Sequence, residues 1–174
     1  MADLEHKGGN LENEPVRHVR QILLDAGYGD RVIELADTAR TAQGAADAIG
    51  TELGSIVKSL VFQLGDTMVM ALVAGDHRCI AENLPRALNL DGNDATRPDA
   101  DAVKSVTGFS IGGVAPIGSA TPLPMVIDHS LKRFETVYAA AGHPHCVFPV
   151  SINELKRMTG GIISYSIARP LEDS

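Results

Sequence analysis

The chain has 174 residues, 44% of them hydrophobic, a formal net charge of −7 and two cysteines. Length and apolar content suit one domain with a full core. The charge speaks against a protein that grips long nucleic acid through its phosphates, the cysteine count against a disulfide scaffold, and the lack of any apolar run near ~20 residues against a membrane-spanning helix. Residues 1–14 are polar, without the apolar centre of a secretory signal, and are expected to form a disordered tail ahead of one domain over 15–174. A reduced, cytoplasmic setting is expected.

In chain order, Pro15–Ala26 reads as an amphipathic helix with Val16, Val19, Ile22 and Leu23 on one stripe and Gly27 at its end. Arg31–Leu35 is a short strand and Thr41–Ile49 an alanine-rich helix stopped by Gly50. Ser55–Leu64 and Thr67–Ala74 are strands joined by a tight Gly65-Asp66 turn. A second turn at Gly75-Asp76 leads into His77–Ile80. Helices are expected over Ala81–Leu90 and Pro98–Thr107, with a turn at Asp91–Asp94 between them. Gly108–Gly118 is a glycine-rich loop. Three strands follow, Leu123–Asp128, Glu135–Ala139 and Cys146–Val150. The capping box Ser151-Ile152-Asn153-Glu154 opens a helix to about Thr159, and Ile162–Ile167 is a last strand. Hairpins mixed with helices predict a mixed sheet in an α/β (α+β) single domain.

Lys58 is the odd residue of this pattern. Side chains alternate along a strand, so Lys58 shares a face with Ile56, Leu60, Phe62 and Leu64, all apolar. Lysines are almost never fully buried unless paired, and burial disfavours their charge. Either its stem packs while its head reaches water, or an anionic partner or substrate compensates it.

The loop Thr107–Gly118 sets a specific backbone path, and its amides suit a phosphate or a developing oxyanion; it also reads as a plain turn. It has neither the phosphate-loop nor the dinucleotide pattern. In Gly142-His143-Pro144-His145-Cys146 a zinc site would need a second ligand pair, which the sequence does not offer. A pocket-rim histidine or a solvated loop fits better. Asp128 ends a strand, where it can face a site or cap the next helix. No nucleophile elbow, cysteine-protease context or carboxylate dyad is present. No metal and no cofactor are expected.

Ile56-Val57-Lys58-Ser59-Leu60-Val61-Phe62, then Gly112-Gly113-Val114-Ala115-Pro116-Ile117-Gly118, then Phe134 to Pro144 with its Gly142-His143-Pro144, together resemble the YbaK/EbsC family over roughly Val16 to Ile167. This superfamily includes the editing domain inserted in bacterial prolyl-tRNA synthetases. The resemblance implies a mixed, barrel-like sheet surrounded by helices, and a free-standing deacylase that hydrolyses misacylated tRNA in trans. The substrate implied is often tRNA for proline carrying a small wrong amino acid. It puts the family lysine on Lys58 and the glycine loop on Gly112, Gly113, Pro116 and Gly118, with His143 lining the aminoacyl pocket. Lys58, Gly112 and Gly113 are then the expected catalytic groups; Ser59, Pro116, Gly118, Asp128 and His143 are the expected substrate contacts. The resemblance also implies that a ribose hydroxyl of the tRNA helps position or deprotonate the water. The cysteine-clearing branch has Lys-Thr and Gly-Gly-Lys-Arg-Gly, and the alanine-clearing branch Lys-Asn. This chain has Lys58-Ser59 and Gly142-His143-Pro144-His145, so alanine, 2-aminobutyrate and cysteine all stay open.

The expected partner is the acceptor end of an aminoacyl-tRNA, touched near Lys104, Lys132, Arg133, Lys156 and Arg157. Prolyl-tRNA synthetase or an elongation factor is a second expected partner, with no membrane and no DNA. The rival readings are a non-catalytic module of the same fold that binds a small ligand or a tRNA end, and an interaction protein that dimerises through an apolar helix face.

Overall fold

The computed structural model describes residues 9–36, 41–92 and 94–172. Helix α1 (Glu14–Asp25) starts with Pro15 in its first turn, where the missing N–H costs nothing, and buries Val16, Val19 and Leu23 completely. The first strand, β1 (Ile33–Glu34), is followed by α2 (Ala42–Ile49), capped by the Thr41 hydroxyl, which accepts from the Gly44 N–H. The long hairpin β2 (Ile56–Leu64) and β3 (Thr67–Ala74) pairs antiparallel from Val57↔Ala74 to Leu64↔Thr67 around Gly65-Asp66. Both faces of this hairpin are covered. Val57, Val61, Met70, Leu72 and Ala74 join the α1 side of the core, whereas Phe62, Leu64, Val69, Ala71 and Val73 join a second apolar cluster. That double burial explains why both faces of the strands are mainly apolar and do not alternate.

Next come β4 (His77–Cys79), α3 (Leu84–Ala87), α4 (Ala100–Thr107), β5 (Met125–Asp128), β6 (Val137–His143), β7 (Cys146–Val150), α5 (Ile152–Thr159), β8 (Ile162–Ser164) and β9 (Ala168–Pro170). The main sheet runs β1-β7-β6-β2-β3-β5-β8, and β4 pairs with β9 in a separate two-stranded ribbon. Pairs β2/β6, β3/β5 and β5/β8 are parallel; the remaining pairs are antiparallel. The mixed sheet expected from the sequence is therefore the one observed.

Four local expectations are corrected. Within the stretch taken for a tail, Asn10–Glu12 forms a 3-10 turn, Leu11 packs on the core and the Asn10 N–H donates to Glu34; residues 1–8 lie outside the described residues. The Ala81–Leu90 helix is instead a 3-10 turn over Ala81–Asn83 and the short α3, because Pro85 cannot donate and Asn89 takes a positive φ of 54°. The strand expected over Ile162–Ile167 ends at Ser164. β8 stays in the main sheet, the chain turns at Tyr165, and β9 leaves to pair with β4. Lastly, β6 runs on to His143, through an irregularity between Ala140 and His143. Helix α5 does carry its full capping box. Ser151→Ala is expected to cost about 1 kcal/mol, seen as a lower urea midpoint at unchanged m-value.

Candidate functional site

The site begins where two hairpins part. Parallel strands β2 and β6 are paired only at Ile56↔Tyr138 and Val57↔Ala139. Past Ala140 the register of β6 against β7 shifts, and Gly142, at φ 97°, turns the strand away. The far side of β2 is then open until the Gln63–Thr96 bridge closes it again, with the Gln63 N–H donating to the Thr96 carbonyl at 2.8 Å. The Gly75 N–H donates to the Ile56 carbonyl, so the even-numbered residues of β2 spend their amides on β3. Ser59 and Val61 consequently aim their N–H and C=O groups into the gap left by β6.

This gap is a cleft of about 260 Å³. Residues 56–61 of β2 form one wall, Tyr138, Ala140, Pro144 and Val147 a second, Thr41, Ala42 and Ala45 a third, and Arg97, Val103, Ile111, Gly112 and Val114 the fourth. Its walls are mainly apolar, and the Ser59 hydroxyl oxygen is buried without a partner among the described residues. Among the described lining residues there is no carboxylate, imidazole or thiol, and two are cationic, Lys58 and Arg97.

Lys58 is half-buried, and its ammonium donates to the His77 carbonyl of β4, which lies over the Phe62 face of β2. Its pKa is lowered, chiefly by burial, against the pull of Asp76, Cys79 and Asp128. It forms no ion pair among the described residues. Asp76 is committed elsewhere. It takes both Arg133 Nη atoms, at 2.9 and 2.7 Å, and His77 Nδ1 at 2.7 Å, and the Arg133 contact above all holds its pKa down to about 2. Lys58 thus carries a desolvated cation seated on one neutral acceptor, a group suited to an incoming anion or a polarised carbonyl.

Of the other residues named from the sequence, Ser59 and Gly112 line the cleft with Lys58. Gly113 stands just behind it, but its N–H donates to the Ser110 carbonyl at 3.0 Å, so that amide is spent in a turn. What Gly113 supplies is closeness: a Cβ there would lie 2.8 Å from His143 Cα and N. His143 contributes backbone beneath the loop, and its ring, with a pKa lowered mainly by burial, accepts from the His145 N–H while its neighbour Pro144 reaches the cleft. Pro116 and Gly118 lie at a different hollow, beside Ile22 and Met158, where the Gly118 carbonyl meets His18 Nε2 at 2.9 Å. Asp128 is buried and takes the capping alternative. Its carboxylate accepts from the Ser130 N–H and hydroxyl, and from the Ala74 N–H. The cysteines are not poised nucleophiles, since burial pushes Cys79 to about 11 and Cys146 to about 12.

Sequence reasoning missed Arg97, Tyr138 and the open edge of β2. Arg97 reaches the cleft only because Thr96 bridges Gln63, which also sets its guanidinium 5.0 Å from the Phe62 ring centroid. No local pattern marks it.

A family model described as an aminoacyl-tRNA editing domain matches residues 36–158. Among curated proteins the chain is similar to an uncharacterized protein, YwhH, of Bacillus subtilis (strain 168), 33% identical over 129 residues that make up 74% of this chain and 80% of the relative. It is also similar to a proline–tRNA ligase of Thermoanaerobacter sp. (strain X514), 26% identical over 102 residues, 59% of this chain but only 18% of the ligase. Among solved structures, one described provisionally as a trans-editing enzyme for prolyl tRNA synthetase superposes with a TM-score of 0.83 at 35% identity, covering 90% of this chain and 98% of that one.

Proposed function

We infer that this chain, which belongs to the aminoacyl-tRNA editing domain family, is a deacylase that hydrolyses the ester between a small, wrong amino acid and a tRNA, foremost tRNA for proline. The observation that carries this reading is the open edge of β2. Among the described residues the Ser59 and Val61 amides face the cleft with no strand partner, next to a Ser59 hydroxyl without a partner and a half-buried Lys58. Amides fixed in this way stabilise an oxyanion at no reorganisation cost. In this arrangement they take the place expected of the Gly113 amide.

The aminoacyl group enters between Pro144 and β2, with its carbonyl oxygen toward the β2 amides. Lys58 and Arg97 hold the phosphate side of the terminal nucleotide or the carbonyl region. The described lining has no carboxylate or imidazole, and the proton is relayed through a ribose hydroxyl of the substrate, which accepts it from the attacking water while passing its own proton to the leaving ribose oxygen. Water oxygen attacks the carbonyl carbon, the ester C–O bond breaks toward the ribose, and the ribose oxygen takes the proton. At about 260 Å³ the cleft lies below the usual range of ligand pockets, from about 300 Å³ upward, which suits an amino acid and not a whole nucleotide. One methylene in such a pocket is worth only ~1–3 kcal/mol, so discrimination among small side chains is expected to be graded.

The test is deacylation of tRNA for proline charged in turn with alanine, cysteine, 2-aminobutyrate and proline. Release of at least one wrong amino acid with proline spared supports the reading. Release of none of the four refutes the proline-tRNA assignment and favours a binding module of the same fold.

A further inference from the structure

On a chain of net charge −7, the β4–β9 ribbon places two arginines directly opposite each other, Arg78↔Arg169. Cross-strand partners share a face, and like charges set opposite are destabilising. The neighbouring pair Cys79↔Ala168 packs toward the second apolar cluster, so the arginines point the other way, and both are exposed. Neither makes an ion pair among the described residues, and Asp76, the acid directly before the ribbon, is taken by Arg133 and His77. Arg133, by contrast, is taken up by Asp76, and Lys104 donates to the Gly108 carbonyl of its own helix end.

Where β8 turns into β9, the Tyr165 ring is 79% exposed and lies stacked on His129, with centroids 3.8 Å apart. That turn is held in place: the Ser166 N–H donates to the Ser164 hydroxyl, and Asn83 Nδ2 donates to the Ser166 carbonyl at 2.6 Å. A large aromatic surface presented to solvent on a tied-down turn offers a plane for an unpaired base. Tyr165 and Arg169 are four residues apart, at most about 14 Å of chain. The ribbon also touches the candidate site, because the His77 carbonyl that seats the Lys58 ammonium is one residue from Arg78.

We propose that the β4–β9 ribbon is an RNA-docking surface: Arg78 and Arg169 clamp phosphates of the acceptor strand while Tyr165, backed by His129, stacks on an unpaired base near the 3′ end. This rests on the tRNA reading above and assigns its binding surface to residues outside the cleft.

The test compares wild type, Arg78→Ala/Arg169→Ala and Tyr165→Ala in two assays, deacylation of misacylated tRNA and fluorescence-anisotropy binding of an uncharged acceptor-stem RNA hairpin ending in its single-stranded 3′ tail. The double variant is expected to raise KM and the hairpin Kd at least tenfold with kcat within twofold, and to flatten the log Kd–log salt slope by about 1.4–1.8, the loss of two phosphate contacts. Tyr165→Ala is expected to raise both constants about tenfold. Wild-type binding and unchanged constants and slope in both variants would overturn the proposal while leaving deacylation intact. Hairpin binding that depends on the ribbon without any deacylation would keep the surface and sink the hydrolase reading. No hairpin binding by wild type even at low salt, or binding of acidic peptides in place of RNA, overturns the surface itself.

Discussion

Lys58→Met is expected to lower kcat for the proposed deacylation about a hundred- to a thousandfold and to leave the protein at least as stable as wild type. Both halves follow from the seat of this side chain. Its ammonium is partly withdrawn from water and given one neutral acceptor, the His77 carbonyl, so the folded state disfavours its charge. Methionine keeps the apolar stem and removes the desolvated charge. Lys58→Ala loses the same activity but also the packing of the stem, and is expected to melt lower. The folded pKa is lowered from 10.5, so the unfolded chain binds more protons between the two values, and stability rises with pH through that window. Lys58→Met removes this rise. Activity that needs the ammonium falls as pH climbs through the lowered pKa, below where a free lysine titrates. A Lys58→Met enzyme with full kcat would place the chemistry elsewhere.

Much of the fold is written locally. Gly65-Asp66 between two apolar runs specifies the β2–β3 hairpin, and Ser151 with Glu154 specifies the start of α5, because each signal involves residues only a few positions apart. The sequence also marks Lys58 by a local rule, a charge on an apolar strand face. What it hides depends on distant pairing. The end of the expected Ile162–Ile167 strand at Ser164 is decided by β4, which pairs with Ala168–Pro170, beyond that stretch, in a second sheet. The cleft exists because β6 leaves β2 after Ala139, and nothing near Ser59 foretells that its amide will be left open. The glycine loop shows a different limit. Its composition signals an unusual path but not whether a given glycine offers its amide or its missing side chain. Gly112 borders the cleft, Gly113 is needed for its contact with His143, and Gly118 serves the packing beside α1.

Gly75→Ala is expected to cause the largest loss of stability, about 3 kcal/mol, the top of the usual overpacking range. A methyl group at Gly75 would sit 2.3 Å from the Leu53 carbonyl oxygen, 3.2 Å from Leu53 Cδ1 and 3.3 Å from Ile56 Cβ. The first of these is backbone and cannot swing aside. Retreat from the other direction is blocked as well, because the Gly75 N–H donates to the Ile56 carbonyl at 2.8 Å and extends the β2–β3 ladder. Either that bond or the 3-10 turn Leu53–Ser55 must give way. Gly65→Ala is the control: its φ of 60° strains an alanine, yet nothing lies within 4 Å, so about 1–2 kcal/mol is expected from strain alone. Urea denaturation of the two variants separates contact from strain, and equal losses would refute the clash. The effect should also reach the site. Gly75 leads directly into Asp76 and His77, whose carbonyl seats Lys58, so the folded fraction of Gly75→Ala is expected to lose kcat while Gly65→Ala, at the far end of the hairpin, keeps it.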